Sequence, residues 1–262
     1  MKLRSLSLPE STLSDRAKLL AWSVHLFTAT GAVWGMFALL AIFNGQWTLA
    51  FVWMGVTLFV DSFDGILARA ARVKTVLPEF DGALLDNMID YLNYVVVPAI
   101  FLYQSNLMPE ALPMFGPAAI VLASAFQFCQ TDAKTDDHFF LGFPSYWNIV
   151  AFYLLMLNMA PWINLALIMI LCGLVFVPIK YIYPSRTVQF QRQTWLVSGI
   201  WGAANIVILV QYPEVNPQLL WISLAGCVYY VGVSLYLMVR NRPDLASDLA
   251  SDLGSDLGSD LE

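Results

Sequence analysis

Long apolar runs separated by short polar segments dominate the chain, and each run is about as long as a helix that crosses a membrane. Such a helix needs about 20 mostly apolar residues. Scanning the sequence with that length predicts eight membrane-spanning helices, at 19–43, 47–63, 83–104, 112–130, 145–160, 162–183, 193–211 and 217–239. The pattern therefore predicts an all-α fold, a polytopic membrane helix bundle with about eight transmembrane helices.

The composition supports a membrane protein and divides the chain into three parts. Hydrophobic residues make up 59% of the chain and charged residues only 12%, which lies outside the range of typical soluble domains. We expect a cytoplasmic segment at 1–18, a membrane-embedded domain at 19–242 and a tail at 243–262. Membrane lipids are the expected surroundings, and no nucleic-acid partner is expected.

The positive charges predict an orientation in the membrane. The four loops near 44–46, 105–111, 160–162 and 212–216 contain no Lys or Arg. A cytoplasmic N-terminus would place these four loops outside and all thirteen Lys and Arg residues on the cytoplasmic side, as the positive-inside rule requires. Both termini are therefore predicted to be cytoplasmic.

The net charge of −6 comes from the end of the chain. The last residues read DLASDLASDLGSDLGSDLE, a four-residue repeat that holds six acidic side chains. Because this repeat has too little apolar content to build a core, it predicts a disordered acidic cytoplasmic tail, either native or an artificial addition.

Four aspartates lie in or beside predicted spans, and helical geometry places them on two faces. At roughly 100° per residue, one face of the helix that contains residues 61–69 carries Asp61, Asp64, Gly65, Ala68 and Arg69. One face of the next helix carries Gly82, Asp86 and Asp90. An acid inside a membrane costs roughly 2.5–3.5 kcal/mol, so positive charge must compensate these four. Mg²⁺ and Mn²⁺ prefer carboxylate oxygens, and the pattern predicts a two-metal phosphoryl-transfer site.

The small residues on these faces indicate a ligand that approaches the backbone. Gly65, Ala68 and Gly82 remove side-chain bulk beside the acids, which leaves room for a nucleotide. Arg69 has a planar guanidinium suited to a phosphate or carboxylate partner.

The order and spacing of these residues resemble a known family signature. Asp61-x2-Asp64-Gly65-x2-Ala68-Arg69-x12-Gly82-x3-Asp86-x3-Asp90 resembles the motif of the CDP-alcohol phosphatidyltransferases. The twelve-residue spacing, where eight is usual, is similar to that of the bacterial phosphatidylcholine synthases. Three further stretches are similar to that subfamily: 25-HLFTATGAVWG-35, 131-TDAKTDDHFFLGFPSYWN-148 and 177-VPIKYIYPSR-186.

The resemblance implies an activity and a set of site residues. The reaction would convert CDP-diacylglycerol and choline into phosphatidylcholine and CMP, with two Mn²⁺ or Mg²⁺ ions. The implied metal ligands are Asp61, Asp64, Asp86 and Asp90, and Asp90 would also be the catalytic general base. The implied CDP-binding residues are Asp61, Gly65, Ala68, Arg69, Gly82 and Thr28. The resemblance further implies a homodimer in the bacterial inner (cytoplasmic) membrane, with a cytoplasmic active site.

Two further pairs of residues are candidates for the polar ends of the substrates. The quaternary ammonium of choline binds to aromatic faces, which makes Tyr94 and Trp147 candidates for choline binding. Lys134 and Arg186 are candidates for binding the lipid phosphate, although cytoplasmic basic residues also serve topology.

The residues leave alternatives open. An ion-coupled membrane transporter also uses intramembrane acids, but here the acids cluster in one helix-loop-helix. A sibling phosphatidyltransferase that uses serine, inositol or glycerol phosphate is the alternative within the family. His25 lies in an apolar span, where a histidine is more often a hydrogen-bonded packing residue than a ligand.

Overall fold

The computed structural model describes residues 15–130, 139–183, 187 and 189–240, and nearly all of these lie in helices or short connections. The first four helical segments are α1 (Asp15–Phe43), α2 (Trp47–Ala70), the single turn α3 (Val73–Val76) and α4 (Gly82–Tyr91). A π-helical turn (Leu92–Val96) joins α4 to α5 (Val97–Gln104). The remaining elements are α6 (Phe115–Cys129), β1 (Phe139–Leu141), α7 (Trp147–Leu157), α8 (Pro161–Val175), β2 (Lys180–Ile182), α9 (Gln191–Gln211) and α10 (Pro217–Arg240).

The chain divides into two compact units. The first unit comprises residues up to Pro117 together with Trp147–Phe152, and it contains α1 to α5. The second unit comprises Ala118–Tyr146 and the chain from Tyr153 onward. All four aspartates of the motif therefore belong to the first unit.

The surface of the helices is apolar, as a membrane requires. Large apolar side chains are exposed along the helices, including Leu122, Val210 and Val228, each more than 70% accessible. Polar side chains such as Thr57 and Asn93 are buried instead. This arrangement is the reverse of a soluble protein and fits a lipid-facing exterior.

Among the residues that the structure describes, four helices are long and apolar enough to cross a membrane: α1, α2, α9 and α10. The apolar helices α6, α7 and α8 contain 15, 11 and 15 residues, fewer than the roughly 20 that a span needs. The all-α membrane class is confirmed, whereas the predicted number of about eight spans is not.

One predicted span was wrong at its C-terminal end. The sequence predicted a helix from 162 to 183, but α8 ends at Val175 and residues 180–182 form a strand. Pro178 explains the difference, because proline donates no backbone hydrogen bond and disfavours helical geometry in the preceding residue. The strand β2 pairs antiparallel with β1, with Phe140 opposite Tyr181.

The second unit is held together by hydrogen bonds between its helices and its short sheet. In α10, the Ser234 hydroxyl accepts from the backbone N–H of Ile182 at 3.0 Å, and the Tyr230 hydroxyl donates to the Ile182 carbonyl at 3.1 Å. The Trp201 indole donates to the Tyr153 hydroxyl at 2.8 Å. Polar contacts of this kind join helices where the surrounding lipid provides no partners.

Small side chains allow close packing in the first unit. The buried face of α1 carries alanines and glycines at helical spacing, including Ala21, Gly31, Gly35 and Ala38. Helix α1 packs along α2 and against the helix formed by residues 82–104. Side chains without bulk let membrane helices approach closely, which brings the two acid-bearing helices within reach of one another.

A proline accounts for the π-helical turn in the helix at 82–104. Pro98 has no N–H with which to donate to the carbonyl of Tyr94, four residues earlier. The N–H of Val97 instead donates to the carbonyl of Leu92, five residues earlier. Single π-helical turns are rare and often lie at functional sites, and this one begins two residues after Asp90.

Candidate active site

Three carboxyl groups from two helices converge in the first unit. Asp61 lies on α2, and Asp86 and Asp90 lie one turn apart on α4. One ligand atom from each of the three lies within 4.8 Å of the other two. The predicted helices over 61–69 and 82–90 are thus confirmed, and their acidic faces do meet.

The fourth aspartate lies beside this triad rather than in it. Asp64 is buried, only 7% exposed, and its carboxyl group interacts with Asp61, Asp86 and the Thr28 side chain. The Thr28 hydroxyl lies on α1 and also approaches the Val24 carbonyl oxygen, at 3.3 Å. Thr28 is therefore linked to the acidic cluster through Asp64.

The π-helical turn places Tyr94 against the triad. The Tyr94 hydroxyl donates a hydrogen bond of 2.8 Å to Oδ2 of Asp61, and the side chain is buried. In the same turn, the Asn93 amide donates to the Gly31 carbonyl at 3.1 Å. These two contacts tie the helix that carries Asp86 and Asp90 to both α1 and α2.

The segment between the two halves of the motif is fixed to α1. Its single turn α3 buries Val73 and Val76, and these residues cluster with Ala21 and Val24 of α1. The twelve-residue connection between Arg69 and Gly82 is therefore anchored to α1 through these valines.

Helix α4 begins with a side-chain cap. The Asp81 carboxylate accepts from the backbone N–H groups of Ala83 at 3.1 Å and Leu84 at 3.0 Å. An aspartate at this position satisfies N–H groups that have no partner within the helix. Asp81 thus stabilises the start of α4, five residues before Asp86.

At two glycines of the motif, a different side chain of the protein lies close to the position that a Cβ would take. A Cβ on Gly82 would come 2.5 Å from Cε1 of the His25 imidazole, and a Cβ on Gly65 would lie 3.3 Å from Nη1 of Arg69. Gly82 therefore receives a ring from α1. Ala68 is half-buried and Arg69 is exposed at the end of α2.

The donor set fits a hard divalent cation. Mg²⁺ takes carboxylate oxygens and usually keeps further positions for water or substrate phosphates. The carboxylates of Asp61, Asp86 and Asp90 offer ligand atoms within 4.8 Å of one another, a grouping compatible with such an ion. Oxygen-only ligands favour Mg²⁺ or Mn²⁺ over softer metals.

The structure describes the candidate residues for choline binding but not those for lipid-phosphate binding. Trp147 is the first residue of α7 and has no exposed surface, and Tyr94 has its hydroxyl directed to Asp61. A role for either ring in choline binding stays a prediction. Lys134 and Arg186 lie outside the described residues.

Sequence reasoning did not identify the contributions of Asn93, Asp81 and His25. Asp81 carried a recognisable signal, because an acid directly before a helical run is a common N-cap. Asn93 depends on the π-helical turn, for which Pro98 was the available signal. His25 was expected to be hydrogen-bonded, but its Nε2 has no partner among the residues that the structure describes.

Comparison with known proteins shows extensive similarity to one family. A sequence profile of the CDP-alcohol phosphatidyltransferases matches residues 23–179. A phosphatidylcholine synthase of Legionella pneumophila is 45% identical over 83% of this chain and 86% of its own length. The proteins of the same name from Pseudomonas aeruginosa and Legionella bozemanae are 39% and 42% identical, over 84% and 78% of this chain and 93% and 95% of their own lengths.

Proposed function

Because this chain belongs to the CDP-alcohol phosphatidyltransferase family, we propose that it transfers the phosphatidyl group of CDP-diacylglycerol to choline. The products are phosphatidylcholine and CMP. The observation that carries this proposal is the meeting of Asp61, Asp86 and Asp90 within 4.8 Å, in a chain similar along most of its length to phosphatidylcholine synthases.

The acids of the motif form the proposed metal site. Asp61, Asp86 and Asp90 would hold two Mn²⁺ or Mg²⁺ ions, with Asp64 completing the ligand set from its buried position. Bound cations of this kind neutralise the pyrophosphate and stabilise the leaving phosphate oxygens. The hydrogen bond from Tyr94 orients the Asp61 carboxylate, and the contact with Thr28 holds Asp64.

Asp90 is the proposed general base. Its carboxylate takes the proton of the choline hydroxyl as the choline oxygen attacks the phosphorus that carries diacylglycerol. The bond from that phosphorus to the bridging oxygen breaks, and CMP leaves with the bridging oxygen. A positioned carboxylate typically contributes a factor of about 10²–10⁴ to such a proton transfer.

The remaining motif residues are proposed to bind the nucleotide. Gly65 and Ala68 present little side-chain bulk next to Asp61, so a phosphate or ribose can approach the backbone of α2 there. The exposed Arg69 guanidinium is available for an anionic group at the end of the same helix. Gly82 and Thr28 lie on α4 and α1, which adjoin the acidic cluster.

The active site and both termini are proposed to face the cytoplasm of a bacterium, with the enzyme in the inner membrane. The distribution of Lys and Arg supports this orientation. A homodimer is proposed from the family resemblance.

An assay with a panel of acceptors tests the function. Purified protein receives CDP-diacylglycerol and Mn²⁺ with labelled choline, serine, inositol or glycerol 3-phosphate in separate reactions. We expect lipid product from choline alone, loss of product with EDTA, and recovery when Mn²⁺ or Mg²⁺ is restored. Product from another acceptor would assign a sibling activity, and turnover that is insensitive to EDTA would exclude the metal mechanism.

A further inference from the structure

His25 is a buried polar residue with an unused hydrogen-bonding atom next to the acidic motif. Its side chain is only 6% exposed, and Nε2 has no hydrogen-bond partner among the described residues. A buried polar atom without a partner is unfavourable, and each such atom in a folded protein calls for an explanation.

Neighbouring side chains fix the orientation of the imidazole. Its ring centroid lies 4.4 Å from that of Phe80 and 5.9 Å from that of Trp22, and the Trp22 and Phe80 rings also contact each other at 5.2 Å. The edge of the ring faces Gly82, where any larger residue would displace it. The sequence thus provides both the packing that holds this ring and the glycine that admits it.

The imidazole lies close in sequence and in space to residues of the proposed donor site. His25 precedes Thr28 by one turn on α1, and the Thr28 side chain contacts Asp64. Gly82 precedes Asp86 by one turn on α4. The imidazole therefore lies beside α4, and the residues one turn further along α1 and α4 contact or form the acidic cluster.

We infer that Nε2 of His25 hydrogen-bonds the nucleotide part of the CDP-linked donor, making His25 a binding residue for the leaving nucleotide. This inference rests on the proposed function, since it takes CDP-diacylglycerol as the donor. Ribose hydroxyls, cytosine and the terminal phosphate oxygens all offer hydrogen-bonding partners. Choline, by contrast, offers only its hydroxyl, which the reaction itself uses.

Substitutions of His25 distinguish hydrogen bonding by Nε2 from packing of the imidazole ring. The side-chain amide nitrogen of glutamine can take the place of Nε2, whereas that of asparagine takes the place of Nδ1. Phenylalanine keeps an aromatic ring between Phe80 and Trp22 but has no hydrogen-bonding atom. Trp22→Phe is the matched control, because it alters the same aromatic cluster and leaves the imidazole intact.

The experiment measures CMP binding to the purified protein with Mn²⁺, the KM values for CDP-diacylglycerol and choline, and the thermal unfolding midpoint. We expect His25→Phe and His25→Asn to weaken CMP binding and raise the KM for CDP-diacylglycerol about tenfold. The KM for choline stays unchanged, and His25→Gln recovers to within about threefold of the original protein. Trp22→Phe leaves CMP binding unchanged.

Unchanged CMP binding in His25→Phe would overturn the inference. The inference would also fail if His25→Gln and His25→Phe lost CMP binding equally and both had a lowered unfolding midpoint. Cytidine is used as a second probe: a loss shared by cytidine and CMP places the contact on the nucleoside, and a loss for CMP alone places it on the phosphate. CMP binding needs no acceptor, so failure of choline as the acceptor is distinguishable from failure of this inference.

Discussion

Asp90 lies on α4 where carboxylates from two helices meet. The other three aspartates of the motif occupy different positions around it. Asp61 and Asp86 complete the group within 4.8 Å, whereas Asp64 is buried beside it and contacts Thr28. The spacing of the motif was sufficient to predict that these acids share two facing surfaces. It could not distinguish Asp64 from the other three, because that difference depends on the packing of α1.

Asp90→Asn tests the general base. The amide keeps the size of the side chain but cannot accept the choline proton, so we expect turnover to fall by at least about a hundredfold. Expression and CDP-diacylglycerol binding remain near those of the original protein. The measurements are formation of labelled phosphatidylcholine and binding of the donor. Near-normal turnover would remove Asp90 from the proposed mechanism.

Tyr94→Phe distinguishes the hydrogen bond from Tyr94 to Asp61 from a role of the aromatic ring in choline binding. Phenylalanine keeps the aromatic face but cannot donate to Oδ2 of Asp61, so we expect kcat to fall about tenfold, in line with loss of a hydrogen bond to a charged group. The KM for choline remains unchanged, and more Mn²⁺ is needed for half-maximal rate. An unaltered kcat would show that the contact with Asp61 does not matter to turnover.

The helices of the first unit depend on small residues and on a few backbone irregularities. A helical pattern predicted the elements that carry the acids, and both were found over the expected residues. The single turn α3 could not be predicted, since four residues carry too little periodic signal. Its position depends on burial of Val73 and Val76 against α1.

Gly35→Ala tests the packing of α1 against the π-helical turn. A Cβ at this position would collide with Oδ1 of Asn93, so we expect a loss of about 1–3 kcal/mol in stability and a lower thermal unfolding midpoint in detergent. Gly55→Ala is the control, because a Cβ there meets no atom within 4 Å. Equal midpoints for the two variants would contradict tight packing at Gly35.

At the scale of the whole molecule, hydropathy predicted the class of protein but not the number of spans or the division into two units. An all-α membrane protein followed from the apolar runs, because lipid leaves few other ways to satisfy backbone groups. The number of spans did not follow, since hydropathy does not register where Pro178 ends a helix or where two three-residue strands pair. The division into two units was likewise not visible in the apolar runs.

The distribution of charge predicts which loops lie on the non-cytoplasmic side of the membrane. Cysteines placed singly at Glu110 and Glu214, in a protein whose three native cysteines are replaced by alanine, should react with a membrane-impermeant thiol reagent in intact cells. A cysteine at Lys74 should react only after the membrane is opened. All three positions are exposed, so reactivity reports sidedness, and labelling of Lys74→Cys in intact cells would reverse the proposed orientation.

The π-helical turn at Leu92–Val96 also affects how the chain tolerates a deletion. Such a turn holds one residue more than an α-helical turn, so deleting a single residue there would restore a regular helix without rotating the segments on either side. In the α-helices that the structure describes, one deletion would turn all following side chains by about 100°. A one-residue deletion within Leu92–Val96 is therefore expected to leave α4 and α5 facing their existing neighbours while removing the offset that brings Tyr94 to Asp61.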